Sequence, residues 1–145
     1  ELQAKARKQA RASDGLGLIV VDYIGLLRAT SDHESRQVEI SDYSRALKRL
    51  AGELDVPVIV VAQLSRLATD RGGPQLHHLR ESGALEQDAD KVLLIHRETD
   101  EAGDLDAVVT VAKNRSGEVG QVHLQPDLSR CRFRPDPNDI PTIGR

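Results

Sequence analysis

Two short apolar runs, each ending on a polar residue and separated by a helix-length amphipathic stretch, constrain this chain most. Leu18-Ile19-Val20-Val21 is closed by Asp22, and Val58-Ile59-Val60-Val61 leads into Ala62-Gln63. Continuous apolar runs of this length are expected for strands buried on both faces. Between them, from about Arg36 to Leu54, the apolar residues Ile40, Tyr43, Leu47, Leu50 and Leu54 recur at intervals of three and four. That spacing predicts a helix with one buried face, ended by Asp55 and Pro57. Strand, helix and strand in this order form a βαβ unit, with parallel strands and a right-handed crossover.

The rest of the chain extends an α/β pattern. Glu1 to Ser13 is rich in the helix formers Ala, Lys, Arg and Gln, and Asp14-Gly15 should end that helix. Ser31 to Ser35 reads as a polar loop, with Ser31 and Glu34 spaced as a capping box. Ser65 to His78, with Gly72-Gly73-Pro74, reads as a mobile loop. A short helix is expected over Gly83 to Asp88, then strands over Val92 to Ile95, Val108 to Ala112 and Gln121 to Gln125. A polar turn, Glu98 to Asp104, precedes the second of these, and Gly117 and Gly120 bracket a hairpin between the last two. From Pro135 onward the chain is expected to be an irregular tail.

Composition narrows the class. At 145 residues, 39% hydrophobic and 30% charged, the chain suits one domain with one core rather than a disordered segment. Aromatics are only 2%, so that core must rest on Val, Ile, Leu and Ala. No apolar run approaches bilayer length and the amino end is charged throughout, so neither a membrane span nor a signal peptide is expected. Cys131 stands alone, which rules out an internal disulfide and suits a cytoplasmic protein. A net charge of −3 argues against a general nucleic-acid coat, but leaves room for a local basic path.

Four segments could carry chemistry. In open parallel sheets ligands sit beyond the carboxyl ends of the strands. Asp22 ends a strand there and offers the hard oxygen that Mg²⁺ prefers; it could equally close a turn. Gln63 ends the second strand with an amide that both donates and accepts hydrogen bonds, or simply finishes a sheet edge. Leu79-Arg80-Glu81-Ser82-Gly83 combines a guanidinium and open backbone, suited to phosphate, although Glu81, Glu86, Asp88 and Asp90 make the neighbourhood acidic. Lys113 and Arg115 lie two apart at a strand end, which places the two cations side by side on one face. Such a cation pair suits either solvent or the γ-phosphate of a nucleotide on a neighbouring subunit.

Taken in order, these segments resemble the bacterial DnaB-type replicative helicases from about Leu16 to Phe133. The most specific stretches are Leu79 to Asp90 and Lys113 to Gly117. The resemblance implies a partial RecA-like P-loop NTPase fold, a mostly parallel twisted sheet flanked by helices, over residues 1–134, with a tail over 135–145. The strands ending at Asp22, Gln63 and Arg97 would be neighbours. It implies that Asp22 is the Walker B aspartate supporting Mg²⁺, and that Gln63 couples nucleotide state to the DNA-binding loops. Arg80, Glu81 and Gly83 would meet single-stranded DNA, and Lys113 and Arg115 would reach the adjacent subunit's ATP. It also implies a cytoplasmic homo-hexameric ring that moves 5′ to 3′ and works with a primase and a loader.

The departures are as informative. No G-x-x-x-x-G-K-[ST] phosphate loop occurs in these residues, and the family's catalytic glutamate and primase-binding domain belong to upstream sequence. Gly25 stands where the family usually has glutamine, a change expected to be minor. The chain alone is therefore expected not to hydrolyse ATP, as a truncated helicase or the product of a decayed gene. Two other readings stay open: a recombinase-type ATPase that coats DNA, and a non-catalytic remnant or interaction module.

Overall fold

β-Branched residues at 19–21 and 58–60 favour extended backbone, and the two segments pair directly. The computed structural model describes residues 1–12, 15–28, 35–65, 73–79, 83–99 and 105–136. The chain divides into two compact units, one of Glu1–Ser65 with Leu79–Ala89, the other of Arg66–His78 with Asp90–Arg145.

In the first unit, β1 (Ile19–Val21) and β2 (Val58–Val60) form a parallel pair in the register Ile19↔Val58, Val20↔Ile59 and Val21↔Val60. The connecting helix α2 (Arg36–Leu54) starts at Ser35, whose hydroxyl accepts from the Val38 N–H at 3.3 Å, satisfying a donor of the first turn. The Ser31–Glu34 capping box lies outside the described residues. Asp55 ends α2 in the left-handed conformation (φ 51°), which Asp tolerates better than most side chains. The core gathers Val21, Ile24, Ile40, Leu47, Leu50 and Val56. Each buried aliphatic side chain there contributes roughly 1.5–3 kcal/mol.

The apolar runs suggest strands buried on two faces. In the structure one face is open: Val20 is 57% exposed and Ile59, its register partner, 52%. α2 covers one side of the pair and nothing among the described residues buries the other. Two further helices belong to this unit. α1 (Leu2–Ala10) is shorter than the predicted Glu1–Ser13 and buries no residue completely; a bidentate Arg7–Glu53 ion pair at 2.8 Å ties it to α2. α3 (Gly83–Asp88) falls where the sequence placed it.

The second unit corrects the mostly parallel sheet. β3 (Lys91–Thr99), β4 (Leu105–Asn114), β5 (Gly120–Asp127) and β6 (Arg132–Pro135) form a four-stranded meander in chain order, every pair antiparallel. Arg97 is therefore not a parallel strand end beside Asp22 and Gln63; it sits inside β3 opposite Ala107. Strands joined by short connections in one sheet run antiparallel, whereas parallel pairing needs a crossover. Along β3, Val92 and Leu94 are buried while Leu93 and Ile95 face out. Such alternation belongs to a sheet with one covered face.

Residues Glu98 and Thr99, expected in a turn, continue β3. β6, unforeseen, is fixed by Asp127, which accepts from Arg134 at 3.0 Å and Arg132 at 3.3 Å. The predicted mobile loop is fixed at its described end: Leu76–His78 forms a 3₁₀ turn, Pro74 and His78 are buried, and His78 Nδ1 accepts from the Gln75 N–H at 2.9 Å. Both units combine strands with helices or helical turns, so the chain is α/β.

Candidate nucleotide and DNA site

The parallel pair brings Asp22 and Gln63 to one end of the first unit. The Val61 N–H donates to the Val21 carbonyl at 2.9 Å, and the Val61 carbonyl accepts from the Ile24 N–H at 3.0 Å. Residues 22 and 23 are thus a two-residue protrusion clasped from both sides by the chain that leads to Gln63. Asp22 and Gln63 are both exposed at the carboxyl end of their strands, where open α/β sheets receive ligands. The Asp22–Tyr23 peptide is cis.

The backbone beyond Asp22 is held by a network that sequence reasoning missed. The Arg36 guanidinium donates to the Gly25 carbonyl at 2.6 Å and to the Leu27 carbonyl at 3.1 Å, and also pairs with Glu39. Glu39 in turn accepts from the Tyr43 hydroxyl at 2.6 Å. Burial, and then the adjacent Glu39 carboxylate, push the Tyr43 phenol up to about 12. The available signal was the Arg36-x-x-Glu39-x-x-x-Tyr43 spacing, which places three polar groups along one helical stripe.

At Gly25 the Tyr23 ring fills the space a side chain would take. A Cβ built there would lie 2.5 Å from Tyr23 Cε2, so a side chain at 25 would force the Tyr23 ring to move. Absence of a side chain lets that ring lie against the backbone just beyond Asp22.

A second link joins the end of β2 to the Arg80 segment. Leu64, next to Gln63, forms an isolated antiparallel bridge with Leu79. Arg80 and Glu81 lie outside the described residues; Gly83 is described, exposed, and opens α3. α3 is attached to α2 by the Ser44 hydroxyl, which donates to Asp88 Oδ2 at 2.7 Å. Ser44 is 6% exposed and lies between Ile40 and Leu47 on the apolar stripe of α2. A polar residue on that stripe is the sequence signal for a tertiary partner, one that the periodicity argument passes over.

In the second unit the cation pair is arranged differently from the side-by-side expectation. β4 ends at Asn114, so Lys113 is on the strand opposite Val92 while Arg115 is on the turn beyond it. Arg115 is anchored twice to Asp90: its backbone N–H donates to the Asp90 carbonyl at 2.8 Å and its guanidinium pairs with the carboxylate at 3.1 Å. Both side chains of that pair are more than half exposed. No cluster of three or more His, Cys, Asp or Glu residues among the described residues could cage a metal ion. Asp22 offers a single carboxylate, which suits Mg²⁺, an ion usually held by one or two carboxylates together with substrate phosphates.

A groove of about 970 Å³ lies between α1, β1 and α2, lined in part by Leu2, Ala6, Leu18, Val20, Leu26 and Leu47. It contains neither Asp22 nor Gln63. No helix among the described residues is long and apolar enough to cross a membrane.

Comparison with known proteins is unambiguous about kinship. The replicative DNA helicase DnaB of Mycobacterium leprae (strain TN) is 44% identical over 139 residues, covering 92% of this chain and 23% of that protein. A DnaB-like replicative helicase, solved in a study of its interactions with primase, is 36% identical with a TM-score of 0.82, covering 92% of this chain and 33% of that one. A further solved structure, of an ATPase domain, is 36% identical with a TM-score of 0.83, covering 93% of this chain and 50% of that one. The chain thus spans about a quarter of the length of its curated relative. A sequence model of the DnaB-like helicase C-terminal domain matches residues 1–135. With its parallel strand ends, its Leu79–Gly83 segment and these likenesses, the chain belongs to the DnaB-like helicase C-terminal domain family.

Proposed function

We propose that this chain is the downstream part of a RecA-like motor domain in a replicative DNA helicase, an ATP-driven hexameric ring that unwinds duplex DNA by moving 5′ to 3′ on one strand. The observation that carries the proposal is the placement of Asp22 and Gln63 at one carboxyl end of the β1–β2 pair, with Gln63 leading straight into the Leu64–Leu79 bridge.

ATP is the substrate, and Mg²⁺ bound at Asp22 and the phosphates would neutralise their negative charge. Asp22 supplies an exposed oxygen at the strand end. Gln63 offers an amide that can donate to a phosphate oxygen or accept from a water, so its hydrogen bonding differs between nucleotide states. Through Leu64 and Leu79 that difference passes to the segment beginning at Arg80. Arg80, Glu81 and Gly83 then meet the backbone of single-stranded DNA, with Gly83 contributing main chain. Contact with backbone rather than base edges makes binding sequence-tolerant and salt-dependent.

Lys113 and Arg115 act on the nucleotide of a neighbouring copy. The Arg115–Asp90 pair supports this role, because an exposed ion pair is weak. Its guanidinium can exchange Asp90 for a phosphate at little cost. Primase and a loader are the expected partners, and the work takes place on the cytoplasmic nucleoid. The test is unwinding of a forked duplex by the full-length helicase carrying this chain. Asp22→Asn should abolish unwinding and ATP turnover while rings still form; an Asp22→Asn helicase that unwinds at the normal rate would refute the assignment.

A further inference from the structure

α3 raises a question that burial does not answer. It has six residues and none is fully buried. A helix this short is unstable by itself in water, because nucleation fixes several residues for few hydrogen bonds. Its attachment must therefore come from specific tertiary contacts. One is the Ser44–Asp88 hydrogen bond, 2.7 Å long, made from inside the apolar stripe of α2. Serine is a poor choice for a helix interior and for an apolar face. At 6% exposure its hydroxyl would carry a desolvation cost if it lacked a partner. Asp88 supplies that partner and fixes the last residue of α3 onto the middle of α2.

The other end of the segment is fixed too. Leu79 bridges to Leu64, so Gly83 begins a helix held at Asp88 and comes after a strand contact held at Leu79. We propose that Ser44 is a positioning residue for DNA binding: through Asp88 it sets the place of α3 and so of the Gly83 backbone that meets the DNA phosphates. This rests on the proposed DNA-contact reading of Gly83. Ser44 itself touches no DNA.

The experiment is an amide-resolved NMR titration of the isotope-labelled chain with the oligonucleotide (dT)₁₂, repeated over a range of salt. In the wild-type chain the Gly83 and Ala84 amide signals should move as DNA is added. Ser44→Ala should weaken that binding about tenfold, and Asp88→Ala should do the same with no further loss in the double variant. Asp88→Asn and Ser44→Thr, which keep an acceptor and a hydroxyl, should restore it. The salt slope should stay as in the wild type, because no phosphate contact has been removed. If Ser44→Ala does not fold, the Asp88→Ala and Asp88→Asn pair carries the same comparison from the surface side.

Two results would overturn the proposal in different ways. Loss of thermal stability in Ser44→Ala with unchanged DNA affinity would make the bond purely structural, leaving the DNA reading intact. Failure of the wild-type Gly83 and Ala84 signals to move at all would refute the DNA reading, and the role of Ser44 with it.

Discussion

Replacing Arg36 by Met tests whether the backbone beyond Asp22 is held by the α2 amino end. Met keeps most of the aliphatic stem and removes every N–H donor. The guanidinium makes bonds to the Gly25 and Leu27 carbonyls and to Glu39. At roughly 1 kcal/mol net for each hydrogen bond, the upper figure is about 3 kcal/mol. The side chain is 34% exposed and the Gly25 carbonyl can regain water, which brings the expectation to about 2 kcal/mol. With a urea slope of about 2 kcal/mol per molar, the unfolding midpoint should fall by about 1 M.

Tyrosine emission is the right probe. Tyr23 and Tyr43 both lie in the first unit and the chain has no Trp, so the signal reports that unit alone. Arg36→Lys, which keeps the charge but loses the fork, should fall between wild type and Arg36→Met. A midpoint shift below about 0.2 M for Arg36→Met would refute the reasoning, since the network would then be no stronger than its hydration.

Leu50 is 1% exposed at the centre of the first unit, so Leu50→Ala should cost about 3 kcal/mol and lower the melting temperature by about 10 °C, read by circular dichroism. The Tyr43 phenol should ionise near pH 12, and Glu39→Gln should bring that step down, as read from phenolate absorbance. Because the folded chain keeps this proton where the unfolded chain, with its ordinary value of 10.0, releases it, the Tyr43 contribution is whole below pH 10 and lost as pH rises towards 12. Denaturation midpoints measured across that window should fall; a flat profile would contradict it.

Much of the first unit was legible in the sequence because its periodicities are strong. Ile40, Leu47 and Leu50 declare the buried face of α2, and Asp55-Val56-Pro57 declares its end. The two apolar runs identify β1 and β2 correctly, but their composition announces covering layers on both faces, and the structure supplies one. In the second unit, an apolar run such as Val92 to Ile95 cannot by itself reveal whether its partner is parallel or antiparallel. The antiparallel pairing with β4 appears only in the fold, as does the uncovered face that Leu93 and Ile95 share. β6 was hidden because Arg132-Phe133-Arg134-Pro135 is exposed at every position and stands on the ion pairs of Arg132 and Arg134 with Asp127 rather than on a core.

At the candidate site, strand ends were readable as positions but their supports were not. Asp22, Gln63, Lys113 and Arg115 stand out by residue type at the edges of apolar runs. Apart from the local Arg36–Glu39 pair, Arg36, Ser44 and Asp90 act through partners between 9 and 44 residues away in the chain. A single sequence gives no register for such contacts. Arg115 also shows how a local rule fails: the same-face argument needs an unbroken strand, and β4 stops at Asn114.

The central claim, that one copy's Asp22 and another copy's Arg115 complete a shared nucleotide site, is tested most directly by mixing two inactive full-length helicases, Asp22→Asn and Arg115→Ala, and measuring DNA-stimulated ATP hydrolysis. Random assembly of equal amounts should return about one quarter of the wild-type rate, because an Arg115→Ala subunit retains Asp22 and an Asp22→Asn neighbour supplies the missing guanidinium. A mixture no more active than either variant alone would contradict the account.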